Sequence, residues 1–172
     1  RWDRSIGVHR MQTGNIEPVK GALQLLQELA LRKEAERQRS GYKYEHPGLN
    51  KTVVIMPFLG SDMGAGHSKL GNRFVYLKAC FWSCYLYFPY VTVAVKGLKD
   101  YYWAKNDSGL PFWDVILIDD LPKSASLPVA TVQQAKARFM DGRWRMFDYI
   151  YFTESDQILM MRPLDAIYKH LE

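Results

Sequence analysis

The sequence predicts an α/β domain built on a mainly parallel sheet with flanking helices. Two observations carry that prediction. Residues 53–58, 91–95, 114–119 and 148–153 are apolar almost without interruption, as strands covered on both faces are. Stretches with helical spacing separate them, so the chain reads strand, helix, strand, connection, strand, helix, strand. The 172 residues are 48% hydrophobic and 24% charged, a globular balance that excludes a disordered chain. A chain of this length buries enough surface to hold a core without disulfide or metal staples.

Each element has its own warrant. Residues 1–17 show no clear period. From Pro18, a favoured early helical residue, Val19, Leu23, Leu26 and Ala30 recur at helical spacing. Arg, Glu and Gln fill the other faces to Arg39, and Gly41 follows. This helix reads as a stem or a packing helix, and Gly41 to Asn50 reads as a linker. Residues 1–50 are thus an expected helical stem and linker, with the main domain over 51–172. After the strand at 53–58 comes a glycine-rich turn, Gly60 to Gly66. A helix follows from about Ser68, with Phe74, Leu77, Phe81, Cys84 and Phe88 on one face. The strand at 91–95 leads into a mixed connection, Gly97 to Trp113. Beyond the strand at 114–119, Leu127-Pro128 opens another helix, with Val132, Ala135 and Phe139 facing inward.

Composition narrows the function. Residues 1–51 carry ten Lys/Arg against six Asp/Glu, and residues 52–172 carry thirteen against twelve. The net charge of +5 is therefore mostly N-terminal, on a helix with a solvated face, and no nucleic-acid type of Lys/Arg run exists. Nucleic acid is not expected as a partner. The longest apolar stretch, Ala79 to Val95, is shorter than a membrane span and contains Pro89, so any membrane anchor is expected outside this chain. Cys80 and Cys84 are one helical turn apart, a poor geometry for a disulfide, and read as core residues. The chain opens on Arg1 and stops at Glu172 within a helix-like run, the expected look of an internal piece truncated at its C-terminus.

Ligands of parallel sheets bind outside the carboxyl ends of the strands, so the residues after each apolar run are the candidates. After the first run come Gly60, Gly64 and Gly66, then His67. Such a loop lets backbone N–H groups approach a phosphate or ribose closely. It matches neither dinucleotide nor Walker spacing. After the fourth run comes Thr153-Glu-Ser-Asp156. On an extended segment Glu154 and Asp156 share one face, and two such carboxylates suit Mg²⁺ or Mn²⁺, hard ions that leave positions open for a diphosphate. The alternative is a solvated strand end.

The run Tyr149-Ile-Tyr-Phe-Thr-Glu-Ser-Asp-Gln-Ile-Leu-Met-Met-Arg-Pro-Leu-Asp-Ala-Ile-Tyr168 resembles the metal-site segment of GT-A-type glycosyltransferases. There an apolar strand leads into Asp-x-Asp, a short strand and a Pro-Leu turn into a helix. Here Glu154 stands at the first Asp. The resemblance extends over 52–168 and implies the N-terminal, nucleotide-sugar-binding half of that Rossmann-like fold. It implies that Asp156 ligates Mn²⁺ (or Mg²⁺) bridging the diphosphate of a UDP-sugar, and that Glu154 contacts ribose or the metal through water. Pro57, Phe58 and the following loop match the place of base and ribose. Lys136 and Arg138 lie on the helix before the metal strand, where such enzymes often offer a cation; a solvated helix face is the alternative. The implied activity is sugar transfer to a hydroxyl of a glycan, protein or lipid acceptor in a Golgi-type lumen, from a type II anchor outside the chain. Asn50-Lys-Thr52 and Asn106-Asp-Ser108, glycan-acceptor triplets in expected connections, fit that compartment. Two rivals stand beside this reading: a metal-dependent nucleotidyltransferase on a similar sheet, and a non-catalytic nucleotide-binding domain.

Overall fold

A computed structural model describes residues 8–10, 17–41, 47–60, 70–119 and 126–159. In chain order the elements are β1 (Val8–Arg10), α1 (Glu17–Ser40), α2 (Pro47–Asn50), β2 (Thr52–Phe58), α3 (Leu70–Tyr85), β3 (Tyr90–Val95) and α4 (Leu98–Tyr102). A wider, π-type turn, Trp103–Asp107, continues α4; β4 (Asp114–Leu117), α5 (Leu127–Met140), β5 (Tyr149–Phe152) and β6 (Gln157–Leu159) follow.

The four apolar runs form one sheet of order β4-β3-β2-β5, and all three pairings are parallel. The fold is thus α/β with an all-parallel sheet, compatible with a Rossmann-like arrangement. Strand alternation sends Val54, Met56 and Phe58 to one face, against Leu77, Cys80 and Phe81 of α3. Val53 and Ile55 face the other way, against Leu127, Ala130 and Ala135 of α5. Both faces are covered, which is why the runs are continuous rather than alternating.

α1 lies on α3 rather than apart from the sheet. Ala30 joins the core cluster beneath α3, and Val19 packs with Tyr76 and Ala79. Arg37, read from sequence as part of a solvated face, is buried instead. It donates to Tyr85 O and Leu86 O, both at 2.9 Å, and pairs with Glu34 at 3.3 Å. Its five-donor guanidinium covers the carbonyl end of α3, where a helix carries partial negative charge.

Other expectations are corrected. The linker holds a short helix, Pro47–Asn50, fastened to β2 by Thr52 Oγ1 donating to Gly48 O at 2.6 Å. Residues 8–10, where no period was visible, pair antiparallel with β6, Val8 opposite Leu159. Three residues are too few to display a period. Val132 is exposed, because the inner stripe of α5 runs Leu127, Ala130, Thr131, Ala135 and Val132 sits about 100° round from Thr131. Among the described residues no helix is long and apolar enough to cross a membrane.

Candidate functional site

The chain steps from β2 to β3 to β4 in one direction, then returns to the far side of β2 for β5. The strand order therefore reverses between β2 and β5, and the crevice outside their carboxyl ends is where this architecture admits a ligand.

Pro57 opens that crevice. The odd residues of β2 turn their backbone groups toward β5: Lys51 O accepts from Asp148 N and Tyr149 N, and Ile55 O accepts from Thr153 N at 3.2 Å. The next residue of that parity is Pro57, which has no N–H to give. The ladder ends there, and the chain after Thr153 leaves the sheet. Proline is tolerated in this central strand because its neighbour has already stopped.

What leaves the sheet is a turn, not an extended segment. Gln157 N donates to Glu154 O at 3.1 Å, and Gln157 Oε1 accepts from Glu154 N at 3.2 Å and from Thr153 Oγ1 at 3.1 Å. This corrects the expectation that Glu154 and Asp156 share a face by strand alternation. Ser155 and Asp156 lie in a turn instead. Glu154 and Asp156 are both half-buried, and Asp156 Oδ1 is buried from solvent. The turn rests on α3: Cys80 Sγ donates to Glu154 O at 3.4 Å, and Ser83 Oγ accepts from Leu159 N at 3.1 Å. The neighbouring Cys84 and burial push the Cys80 thiol well above its usual range, so it stays protonated.

Across the crevice, the residues after β2 are clamped twice. Arg73 Nη1 donates to Leu59 O at 3.0 Å, and Gly60 N donates to Asp100 Oδ2 at 2.9 Å. Asp100, on α4, is buried at 2% exposure. A Cβ on Gly60 would stand 2.8 Å from Asp100 Oδ1 and 2.9 Å from Phe58 Cε1, so the close approach requires glycine. Gly60→Ala is expected to destabilise the chain by about 1–3 kcal/mol, as overpacking does. Urea unfolding checks it, and an unchanged midpoint would show that the loop yields freely.

The Phe58 ring is taken up by packing, with centroids 5.4 Å from Phe74 and 5.8 Å from Trp103. Pro57 and Gly60 are buried as well, and Leu59 is half-buried. Gly64, Gly66 and His67 lie outside the described residues.

The two cations are not brought to the turn. In an all-parallel sheet α5 must run from the carboxyl end of β4 to the amino end of β5, so its last turns lie at the amino ends. Arg138 stands over the Trp144 ring at 5.9 Å, within the aromatic group of Trp113, Trp144, Phe147 and Tyr90 that closes that end. Burial, with Arg143 nearby, lowers its pKa. Lys136 is exposed on the same half of α5. The glycan-acceptor triplets also lie in ordered elements rather than loops: Asn50 Oδ1 and Thr52 are buried, and exposed Asn106 sits in the π-type turn before buried Ser108.

Among the described residues no group of three or more His, Cys, Asp or Glu side chains converges. Two carboxylates in one turn do suit a hard divalent ion whose remaining positions are filled by phosphate oxygens and water. Cys80 and Asp100 went unread because nothing in their spacing marks a contact 74 or 40 residues away. Gln157 had a signal: an amide three residues after Glu154 is placed to close a turn on it.

Comparison with family models, with curated proteins and with solved structures returns no match to this chain.

Proposed function

We propose that this chain is the nucleotide-sugar-binding half of a GT-A-type glycosyltransferase, moving a sugar from a UDP-linked donor to an acceptor hydroxyl with Mn²⁺ or Mg²⁺. One observation carries the reading: the Glu154–Asp156 turn follows β5 at the carboxyl edge of an all-parallel sheet, beside the end of β2, where the strand order reverses. Asp156, with Glu154 beside it or on the ribose, would hold the divalent ion. The end of β2 with the loop that follows would line the base and ribose. When bound, the ion stabilises the charge that develops on the departing diphosphate. The half-buried carboxylates bind and orient; they are not assigned a proton transfer. Lys136 and Arg138 have no part in this reading, since α5 carries them toward the other end of the sheet. A Golgi-type lumen and a membrane anchor beyond this chain belong to the same proposal.

Calorimetry with UDP, GDP and ATP, each in Mn²⁺ and in EDTA, tests it. UDP is expected to bind most tightly and to weaken in EDTA. Equal affinity with and without metal would remove the role given to Glu154 and Asp156.

A further inference from the structure

We propose that Cys80 and Gln157 are positioning residues that fix the Glu154–Asp156 turn for metal binding. The inference rests on the metal-dependent reading above. Pro57 ends the β2–β5 ladder, so the sheet no longer holds the main chain beyond Thr153. Side chains take over at that point, until the β1–β6 pairing begins at Gln157. The Glu154 N–H is taken by Gln157 Oε1, and the Glu154 carbonyl receives the Cys80 thiol, the Gln157 N–H and, at 3.4 Å, the Thr153 hydroxyl. The peptide groups on both sides of the first acid are thereby tied, one to the turn itself and one to α3.

α3 is a firm base for this. Cys80 and Ser83 are fully buried, and Ser83 Oγ donates back to Cys80 O at 2.8 Å while accepting from Leu159 N. One helical turn thus holds the chain on both sides of Asp156, at residue 154 and at residue 159. Neither Cys80 nor Gln157 is assigned a contact with metal or nucleotide. They set the backbone that aims the two carboxylates, as outer partners of metal ligands do elsewhere, where losing one costs about 10–100-fold in affinity or activity.

The test uses the whole 172-residue chain, with calorimetry of UDP in Mn²⁺ and in EDTA, and thermal melting for every variant. Cys80→Ala removes the donor, Cys80→Ser restores one, and Gln157→Met keeps the length of the side chain without its acceptor. Measured where each variant is folded, Cys80→Ala and Gln157→Met are expected to weaken Mn²⁺-dependent UDP binding about tenfold or more. Cys80→Ser should recover most of that loss. A purely structural role would lower the melting temperature and leave the affinity of the folded protein unchanged; that result overturns the inference while the metal site stands. A wild-type chain with no Mn²⁺-dependent UDP binding overturns both. Should Cys80→Ala fail to fold, Gln157→Met decides, because Gln157 lies on a half-buried turn rather than in the core.

Discussion

Asp156→Asn is expected to lower sugar transfer in Mn²⁺ by at least about 10²-fold, with the melting temperature unchanged or slightly raised. The substitution keeps size and most hydrogen bonding but removes the charge that a divalent ion needs. A carboxylate on a metal beside a departing diphosphate acts most strongly in the transition state, and a 10²-fold loss corresponds to about 2.7 kcal/mol. The fold should tolerate the change. The turn is held through main-chain groups of Glu154, Gln157 and Leu159, none of which the substitution alters. Removing one of two neighbouring like charges also relieves repulsion when no metal is bound. Glu154→Gln should lose less activity if Glu154 meets ribose or reaches the metal through water. Turnover in the complete enzyme, with melting measured alongside, checks both. An Asp156→Asn enzyme that turns over like wild type in Mn²⁺ would make the acid-x-Asp turn a solvated strand end.

The sheet was legible because its central strands, β2 and β3, are buried on both faces, and continuous apolar runs are what double burial demands; the edge strand β5 is only partly covered, with Ile150 39% exposed. Val53, Val54, Ile55 and Met56 are all fully buried, so over that stretch both faces of β2 are apolar. The position of the acid triplet, just past the last strand, was legible for the same reason. Its conformation was not. Alternation is a safe guide only while the ladder continues, and Pro57 ends the ladder from the neighbouring strand, nearly a hundred residues earlier in the chain. Lys136 and Arg138 mislead in a related way: their place on a helix is readable, but which end of the sheet they reach depends on every strand being parallel. Arg37 shows the third limit. On a helix rich in Arg and Glu, nothing local separates the one guanidinium that meets the end of α3 from those left in water.

That guanidinium carries the largest stability effect expected in the chain. Arg37→Met keeps much of the volume and removes the charge and all five donors. Three acceptors then lose it at once: Tyr85 O, Leu86 O and the Glu34 carboxylate. Truncating one member of a buried, hydrogen-bonded charge pair costs about 3–5 kcal/mol, because the group left behind stays desolvated. That is about a fifth or more of the stability of a typical domain. Arg37→Lys should fall between, since a single ammonium cannot fork to two carbonyls held by a fixed backbone. Urea unfolding at matched pH measures both. The double variant Arg37→Met, Glu34→Gln separates the causes. If the Glu34 carboxylate, which keeps the Gln38 amide at 3.1 Å, dominates, neutralising it returns most of the loss. If the open end of α3 dominates, the double variant stays near the single one. A loss below about 1 kcal/mol for Arg37→Met would place the side chain in the range of an exposed surface pair, and α1 would then be held to α3 by the apolar packing of Val19, Leu23, Leu26 and Ala30.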